Sequence, residues 1–159
     1  MTLARSTIKS EVRILGLDVC NRRQTVGAII RGGLYLDGLL TMGTNTSELG
    51  SNIRSSRYYP ELRYIMIHQD NGEKFEAQKI QKITRLPVVE IARKKPAEKI
   101  SSSYTKLLME GRMIFLRSTL DHTNTLRLLS LSWTTGPLPE PVRVAHLLAK
   151  STSSISSTR

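Results

Sequence analysis

The sequence predicts an α/β protein built on one mixed β-sheet with helices on both faces. Three apolar runs separated by short turns open the chain, which is typical of an antiparallel meander. The rest of the chain alternates strand-like and helix-like segments, and such alternation favours strands connected through helices. With 159 residues, the chain has the length of a single domain.

The meander and the segment after it are the first elements in the chain. Its strands are predicted at residues 12–19, 25–31 and 34–42. Gly32 and Gly33 supply the turn between the second and third strands. The polar stretch that follows predicts a short helix capped by Thr46 or Ser47.

The alternating part of the chain completes the predicted sheet and its helical layers. In order, it predicts a strand at 62–68, a helix at 75–84, a strand at 88–92, a short helix around 104–110 and a strand at 113–117. Two helices follow: one runs from a cap at Asp121 or Thr123 to about 131, and the last one begins at residues 138–141. A meander followed by this alternation is the plan of a ribonuclease H-like fold, and the order of elements alone also fits other α/β folds. One domain is therefore predicted over residues 11–150, between a flexible leader at 1–10 and a disordered Ser/Thr tail at 151–159.

The charge of the chain predicts a polyanionic partner. There are 24 Lys and Arg residues against 13 Asp and Glu residues, a net charge of +11. Nucleic acid, either DNA or RNA, is the first predicted partner, and the alternatives are ordinary solubility or binding of an acidic protein. Because aromatic residues make up only 5% of the chain, contacts to backbone phosphates are favoured over base stacking.

Composition also excludes several classes of protein. The single cysteine excludes an intramolecular disulfide and a zinc ribbon, and it fits a reducing, cytoplasmic compartment. No apolar run approaches the roughly 18 residues of a membrane span, and the N-terminal segment lacks the apolar core of a secretory signal. No membrane partner is therefore expected, and the sequence does not predict an oligomeric state.

The end of the first strand and the last helix carry candidate functional residues. Asp18 stands at the end of the first apolar strand, where it can hold a divalent metal if other ligands converge, or simply cap the following turn. The last helix is apolar around most of its circumference, and its one polar stripe consists of Arg143, His146 and Lys150. That polar stripe faces either solvent or a functional site of the protein.

Several segments resemble a known enzyme family. The segment LPEPVRVAH (138–146) resembles the last-helix motif of endonuclease V, EVRILGLDV (11–19) its first strand, and LPVVEIARKKP (86–96) its strand after the second helix. The chain more closely resembles an archaeal family of uncharacterised proteins related to endonuclease V (domain-of-unknown-function family 99), through VRILGLDV, VGAIIRGGLYLDGLL, LRYIMI, LPVVEIARKKP and PEPVRVAHLLA. The resemblance spans residues 11–150 and implies a ribonuclease H-like fold with a metal-dependent phosphodiesterase ancestry.

The resemblance also implies roles for individual residues. Asp18 matches the first-strand carboxylate of endonuclease V, and His146 matches the last-helix residue near its metal. Glu48 is matched to an acidic residue near the first helix, and Arg93 to a lysine that follows the fifth strand and suits a phosphate contact. The implied cofactor is Mg²⁺ or Mn²⁺, or none if the site is degenerate.

The chain departs from the family pattern at the end of the fourth strand. His68 stands where both families place an Asp. Mg²⁺ prefers hard oxygen ligands, whereas imidazole suits Mn²⁺, Zn²⁺ or Ni²⁺ better. Asp70 could supply the missing oxygen, although residues 69–72 are more typical of a turn. The tyrosine wedge loop of endonuclease V is not recognisable, so specificity for deaminated bases is not carried over.

Two functions from different classes fit these observations. We favour a nucleic-acid-binding protein with a degenerate metal site. Its expected nucleic-acid contacts are Arg22, Arg23, Arg93, Lys94, Lys95 and Arg143. The alternative is an active divalent-metal-dependent nuclease with two metal ions on an altered ligand set, formed by Asp18, Glu48, His68 or Asp70, and His146. A protein-interaction module on the same scaffold is a third interpretation.

Overall fold

Seven strands form one sheet in a computed structural model that describes residues 8–21, 24–70 and 75–156. The strands are β1 (Arg13–Asn21), β2 (Gln24–Arg31), β3 (Tyr35–Met42), β4 (Leu62–His68), β5 (Val88–Ala92), β6 (Thr105–Met109) and β7 (Arg112–Ser118). Their order in the sheet is β3-β2-β1-β4-β5-β7-β6. Strands β1, β2 and β3 pair antiparallel, whereas β4 runs parallel to β1 and β5 parallel to β4. This confirms the predicted α/β class, with a meander followed by parallel strands.

Helices cover both faces of this sheet. They are α1 (Thr46–Ser55), α2 (Ala77–Thr84), α3 (Glu98–Ser101), α4 (His122–Ser132) and α5 (Glu140–Ser156), with a 3₁₀ turn at Tyr59–Glu61. Successive side chains of a strand point to opposite faces. Leu15 of β1 therefore packs in a core with residues of α1 and α2, while the adjacent Ile14 packs in a second core with residues of α4 and α5. None of the helices within the described ranges is long and apolar enough to cross a lipid bilayer.

The far edge of the sheet differs from the prediction, because the segment expected to be a helix around 104–110 forms β6. It pairs antiparallel with β7, which itself runs antiparallel to β5. Glu110 and Gly111 close the hairpin with φ angles of 50° and 72°, the backbone that a tight hairpin turn requires. Pairing with β7 across this two-residue turn thus outweighs the local helix preference of Leu, Met and Lys, and the sheet ends in a hairpin.

The last helix also extends beyond its expected end. α5 continues to Ser156, so residues 151–156 of the segment expected to be a disordered tail are helical. Ser151 Oγ donates a hydrogen bond to the Leu147 carbonyl, 2.9 Å away, one turn earlier, which is how a serine is accommodated inside a helix. Residues 1–7 and 157–159 lie outside the described residues.

The start of α5 lies directly on β1, and Gly16 permits this contact. A Cβ atom at Gly16 would collide with the Pro141 carbonyl and lie 2.7 Å from the Val142 nitrogen. Asp18 follows Gly16 by two residues in a strand, and His146 follows Pro141 by five residues in a helix. Both separations correspond to roughly 7 Å along the element. The crossing therefore brings Asp18 and His146 to the same place.

Candidate metal centre

The side chains of the candidate site lie on two parallel strands and one helix. Asp18 lies near the end of β1, and His68 is the last residue of β4, its parallel neighbour. The ends of parallel strands meet at one edge of a sheet, and α5 brings His146 over the same edge. Asp18 is 5% exposed and His68 is 3% exposed, whereas the side chain of His146 is 32% exposed. The cluster is thus buried on the sheet side and open on the helix side.

Three potential ligand atoms converge at this edge. Oδ2 of Asp18 lies 3.2 Å from Nδ1 of His68 and 2.6 Å from Nδ1 of His146. The two imidazole rings are nearly perpendicular, with centroids 4.9 Å apart. One carboxylate oxygen and two imidazole nitrogens all lie within 4.8 Å of one another. The other oxygen of Asp18 accepts the backbone N–H of Val19 at 2.8 Å, which fixes the orientation of the carboxylate.

Asp70 lies on the opposite side of the His68 ring from Asp18. Its Oδ2 is 2.6 Å from Nε2 of His68. Oδ1 of Asp70 accepts hydrogen bonds from the backbone N–H groups of Arg93 and Lys94, at 2.7 and 3.1 Å. Oδ2 also accepts one from Nε–H of Arg93, at 3.1 Å. Both oxygens of Asp70 are therefore engaged, and the carboxylate is not one of the three converging ligands. Asp70 thus contacts Nε2 of His68, and Asp18 contacts Nδ1 of the same ring.

The electrostatics of the cluster favour charged groups despite their burial. Burial raises the pKa of Asp18, but hydrogen bonds from His68 and His146, the charge of His68 and the Val19 N–H together lower that pKa below its ordinary value. Burial also raises the pKa of Asp70. His68 and the backbone N–H groups of Lys94 and Arg93 outweigh this effect and hold that pKa well below its ordinary range. Burial lowers the pKa of His68, and the two flanking carboxylates outweigh it and raise the pKa. Negative charge is thus retained on both sides of the ring.

A basic loop follows β5 beside this cluster. Arg93, Lys94 and Lys95 are exposed. The backbone N–H groups of Arg93 and Lys94 donate hydrogen bonds to Asp70 and hold the start of the loop next to His68. These three expected nucleic-acid contacts therefore lie at the same edge as the candidate ligands. Of the remaining expected contacts, Arg143 pairs with Glu140 at 2.6 and 2.7 Å, as Arg93 does with Asp70 at 3.1 Å. Arg22 and Arg23 lie outside the described residues.

Glu48 does not join the converging ligands. It is an exposed residue in the first turn of α1, and the group of three within 4.8 Å does not include it. Its backbone N–H donates to the side chain of Asn45 at 3.2 Å. Asn45, not Thr46 or Ser47, is the residue that caps the helix.

Sequence reasoning missed a buried network that supports the end of β4. Gln69 donates from Nε2 to Glu90 Oε1 and to the Phe75 carbonyl, both at 2.9 Å. Glu90 in turn pairs with Arg117 at 2.6 and 2.8 Å. The two residues lie opposite each other on the neighbouring strands β5 and β7. The available signal was one acidic residue in the otherwise apolar strand VVEIA, because a buried carboxylate requires a partner. The network holds the residue that follows His68.

The chain is similar in sequence to archaeal UPF0215 proteins. It is 29% identical to the UPF0215 protein of Methanosarcina barkeri over 176 aligned positions, which cover 89% of this chain and 91% of the relative. It is 27% identical to that of Methanopyrus kandleri over 180 aligned positions, with coverage of 89% and 91%. No protein-family model matches the chain.

Solved structures share the fold. A protein of unknown function from Archaeoglobus fulgidus has a TM-score of 0.71 at 23% identity, covering 88% of this chain and 97% of that one. Human ENDOV has a TM-score of 0.63 at 15% identity, with coverage of 92% and 86%. An Argonaute of Marinitoga piezophila, solved with guide RNA and target DNA, has a TM-score of 0.59 at 11% identity and covers 89% of this chain and 29% of the Argonaute. The chain is therefore a relative of the uncharacterised archaeal UPF0215 proteins with the ribonuclease H-like fold of endonuclease V, as its motifs predict.

Proposed function

We propose that this protein hydrolyses phosphodiester bonds in nucleic acid with the help of a divalent metal ion. The observation that carries the proposal is the orientation of His68, whose Nδ1 lies 3.2 Å from Oδ2 of Asp18. The residue that replaces the family's Asp thus contributes to a converging set of ligands. This favours an active site with altered ligands over the degenerate site that the sequence favoured.

The donor atoms of the cluster fit one divalent ion. Asp18, His68 and His146 would hold it, since a carboxylate oxygen and imidazole nitrogens are common ligands of divalent metals. An ion bound there supplies Lewis-acid stabilisation of the negative charge on a phosphodiester. Asp18 would supply the negative charge that a cation requires.

The basic loop supports a nucleic-acid substrate. Arg93, Lys94 and Lys95 are exposed beside the cluster, and the chain as a whole carries a net charge of +11. Such a loop attracts phosphates and places the backbone of a nucleic acid near the candidate ligands. One structural neighbour, the Argonaute, was solved with RNA and DNA bound. The single cysteine supports a reducing, cytoplasmic setting for this activity.

A second candidate function is nucleic-acid binding without hydrolysis. It is favoured by the position of Glu48, which is exposed and does not contribute a second acidic ligand to the cluster. In this case the hydrogen bonds that join Asp18, His68 and His146 would only stabilise the fold.

A nuclease assay on matched variants tests the proposal. The full chain is incubated with Mn²⁺ or Co²⁺ and labelled single-stranded and duplex DNA and RNA, and the Asp18→Asn variant is compared with Asp37→Asn. Asp37 is a suitable control because it pairs with Arg13, at the opposite end of β1. We expect cleavage by the wild type and the control, and loss of cleavage with retained nucleic-acid binding in Asp18→Asn.

Two results would contradict the proposal in different ways. Equal cleavage by wild type and Asp18→Asn would show that the activity does not use this cluster. Salt-dependent binding without cleavage, under every metal and substrate, would favour the second candidate function.

A further inference from the structure

The ligand atoms at this edge of the sheet are selective for a class of metal. We propose that Asp18, His68 and His146 bind a single late first-row transition-metal ion, such as Co²⁺, Ni²⁺ or Zn²⁺, in preference to Mg²⁺, and that Asp70 is a positioning residue for His68. This inference deepens the proposed function, because it names the cofactor class of the same site.

The donor set carries the selectivity. Two of the three converging atoms are imidazole nitrogens and one is a carboxylate oxygen. Mg²⁺ demands a near-octahedral shell of oxygen ligands, whereas imidazole binds late transition metals well. Donors that surround one ion at about 2.1 Å lie roughly 3 to 3.5 Å from one another. The distance of 3.2 Å from Oδ2 of Asp18 to Nδ1 of His68 matches that spacing. The distance of 2.6 Å from the same oxygen to Nδ1 of His146 is that of a short hydrogen bond, which has to lengthen when both atoms bind one ion.

Asp70 selects which nitrogen of His68 faces the ion. The ionised carboxylate accepts Nε2–H at 2.6 Å, so Nδ1 is the nitrogen directed at Asp18. Asp70 is itself held by backbone N–H groups of Arg93 and Lys94, so its position does not depend on the ion. A histidine ligand whose second nitrogen donates to a carboxylate is the usual arrangement around protein-bound metals.

The same contacts limit the site to one ion. Both oxygens of Asp70 are engaged by His68, Arg93 and Lys94. Across residues 8–21, 24–70 and 75–156, Asp18, His68 and His146 form the group of three acidic, His or Cys residues close enough to share an ion. A second ion would have no comparable set of ligands there. The expected stoichiometry is therefore one ion per chain, in contrast to the two-metal arrangement that the sequence suggested.

A metal titration without nucleic acid tests this inference. Co²⁺ is added to the metal-free full chain while visible absorption is recorded, and Zn²⁺ or Mg²⁺ is then added as a competitor. We expect one equivalent of Co²⁺ to bind, Zn²⁺ to displace it, and millimolar Mg²⁺ to leave the absorption unchanged. Binding of two equivalents, displacement of Co²⁺ by an equal concentration of Mg²⁺, or no Co²⁺ binding would overturn it.

Variants separate the ligands from the positioning residue. His146→Gln is expected to abolish tight Co²⁺ binding, whereas His122→Gln, an exposed histidine at the start of α4, is expected to bind as the wild type does. Asp70→Asn should weaken Co²⁺ affinity by about 10- to 100-fold with the ligand-field spectrum retained, and Asp70→Glu should restore part of the loss. Unchanged affinity in Asp70→Asn would refute the positioning role, and unchanged affinity in His146→Gln would refute the site.

Failure of this inference is distinguishable from failure of the proposed function. The titration contains no nucleic acid, so a chain that binds one Co²⁺ but cleaves no substrate supports the inference and contradicts the hydrolytic function. Cleavage supported equally by Mg²⁺ and Co²⁺, with Mg²⁺ displacing Co²⁺, would retain the function and overturn the selectivity.

Discussion

Asp18 and His146 meet through a 2.6 Å contact between Oδ2 and Nδ1, although 128 positions separate them in the chain. β1 carries the first residue and α5 the second. Their contact depends on the close crossing of this strand and helix at Gly16, where there is no room for a side chain. The geometry of the candidate site is thus built into the packing of the fold.

Replacing Gly16 tests that dependence. The Cβ of Gly16→Ala would collide with the Pro141 carbonyl, so α5 must shift away from β1. We expect a loss of about 3 kcal/mol in the free energy of unfolding, typical of severe overpacking, together with loss of Co²⁺ binding. Urea denaturation and the Co²⁺ titration measure the two effects. Gly43→Ala is the matched control, because nothing lies within 4 Å of a Cβ atom added there; equal behaviour of the two variants would contradict the role of the crossing.

The buried histidine predicts a pH-dependent stability of the metal-free protein. Because the carboxylates of Asp18 and Asp70 raise the pKa of His68 against the effect of burial, its stabilising contribution is complete below the ordinary histidine pKa of about 6.5. That contribution is lost as the pH rises through the raised pKa. The protein should therefore be less stable at about pH 9 than at about pH 6.

The lowered pKa of Asp70 has the opposite consequence. Its contribution is present above the ordinary Asp pKa of about 3.9 and is lost as the pH falls towards the lowered value. Urea denaturation in the presence of a chelator, at pH values from acid to alkaline, measures both the acid and the alkaline decrease in the free energy of unfolding. In His68→Gln the alkaline decrease should be smaller than in the wild type and in His122→Gln. A decrease of the same size in all three proteins would mean that His68 does not cause it.

The basic loop predicts a specific salt dependence of nucleic-acid binding. Replacing Lys94 and Lys95 together by alanine should weaken binding to duplex DNA and reduce the slope of log affinity against log salt concentration by about 2, close to one unit per phosphate contact. Fluorescence anisotropy at several salt concentrations measures the slope. Lys99→Ala, an exposed lysine of α3, should leave it nearly unchanged. Because the control removes one charge and the test variant two, an effect half as large in Lys99→Ala would assign the binding to net charge alone.

The pair of Glu90 and Arg117 predicts a large effect on stability. Glu90 is 4% exposed and the side chain of Arg117 is 29% exposed, so Glu90→Gln leaves a partly buried cation without its charged partner. We expect a loss of about 2 kcal/mol, less than for a fully buried pair because water screens Arg117. Glu61→Gln removes a charge that contacts Arg13 and whose side chain is 61% exposed, and it should cost much less because water screens the pair. Urea denaturation compares the two, and equal costs would contradict a structural role for Glu90.

Local patterns predicted most of the fold. Strands β4 and β5 occur at the predicted residues, 62–68 and 88–92, because their apolar runs have clear boundaries. The exception is β6, whose sequence TKLLM has no decisive period. Its conformation depends on pairing with β7 through the turn at Glu110 and Gly111. The strand at 113–117 was predicted, but strand preference depends on such pairing more than on the residues of β6 themselves.

The candidate site was predictable by residue type but not by geometry. Asp18, His68 and His146 were candidates from the sequence, and the structure brings them together. Spacing alone placed Asp70 on the same face of an extended strand as His68, but it could not show that the carboxylate lies beyond the ring and faces the basic loop. Glu48 was matched to the family only as an acidic residue near the first helix, and it lies exposed on α1.

Anomalous diffraction from a crystal grown with Co²⁺ is the most direct test of the metal site. We predict one anomalous peak at about 2.1 Å from Oδ2 of Asp18 and from Nδ1 of His68 and His146, and no peak at these atoms in a crystal of Asp18→Asn. A crystal saturated with Co²⁺ that shows no peak between these three side chains would contradict the assignment.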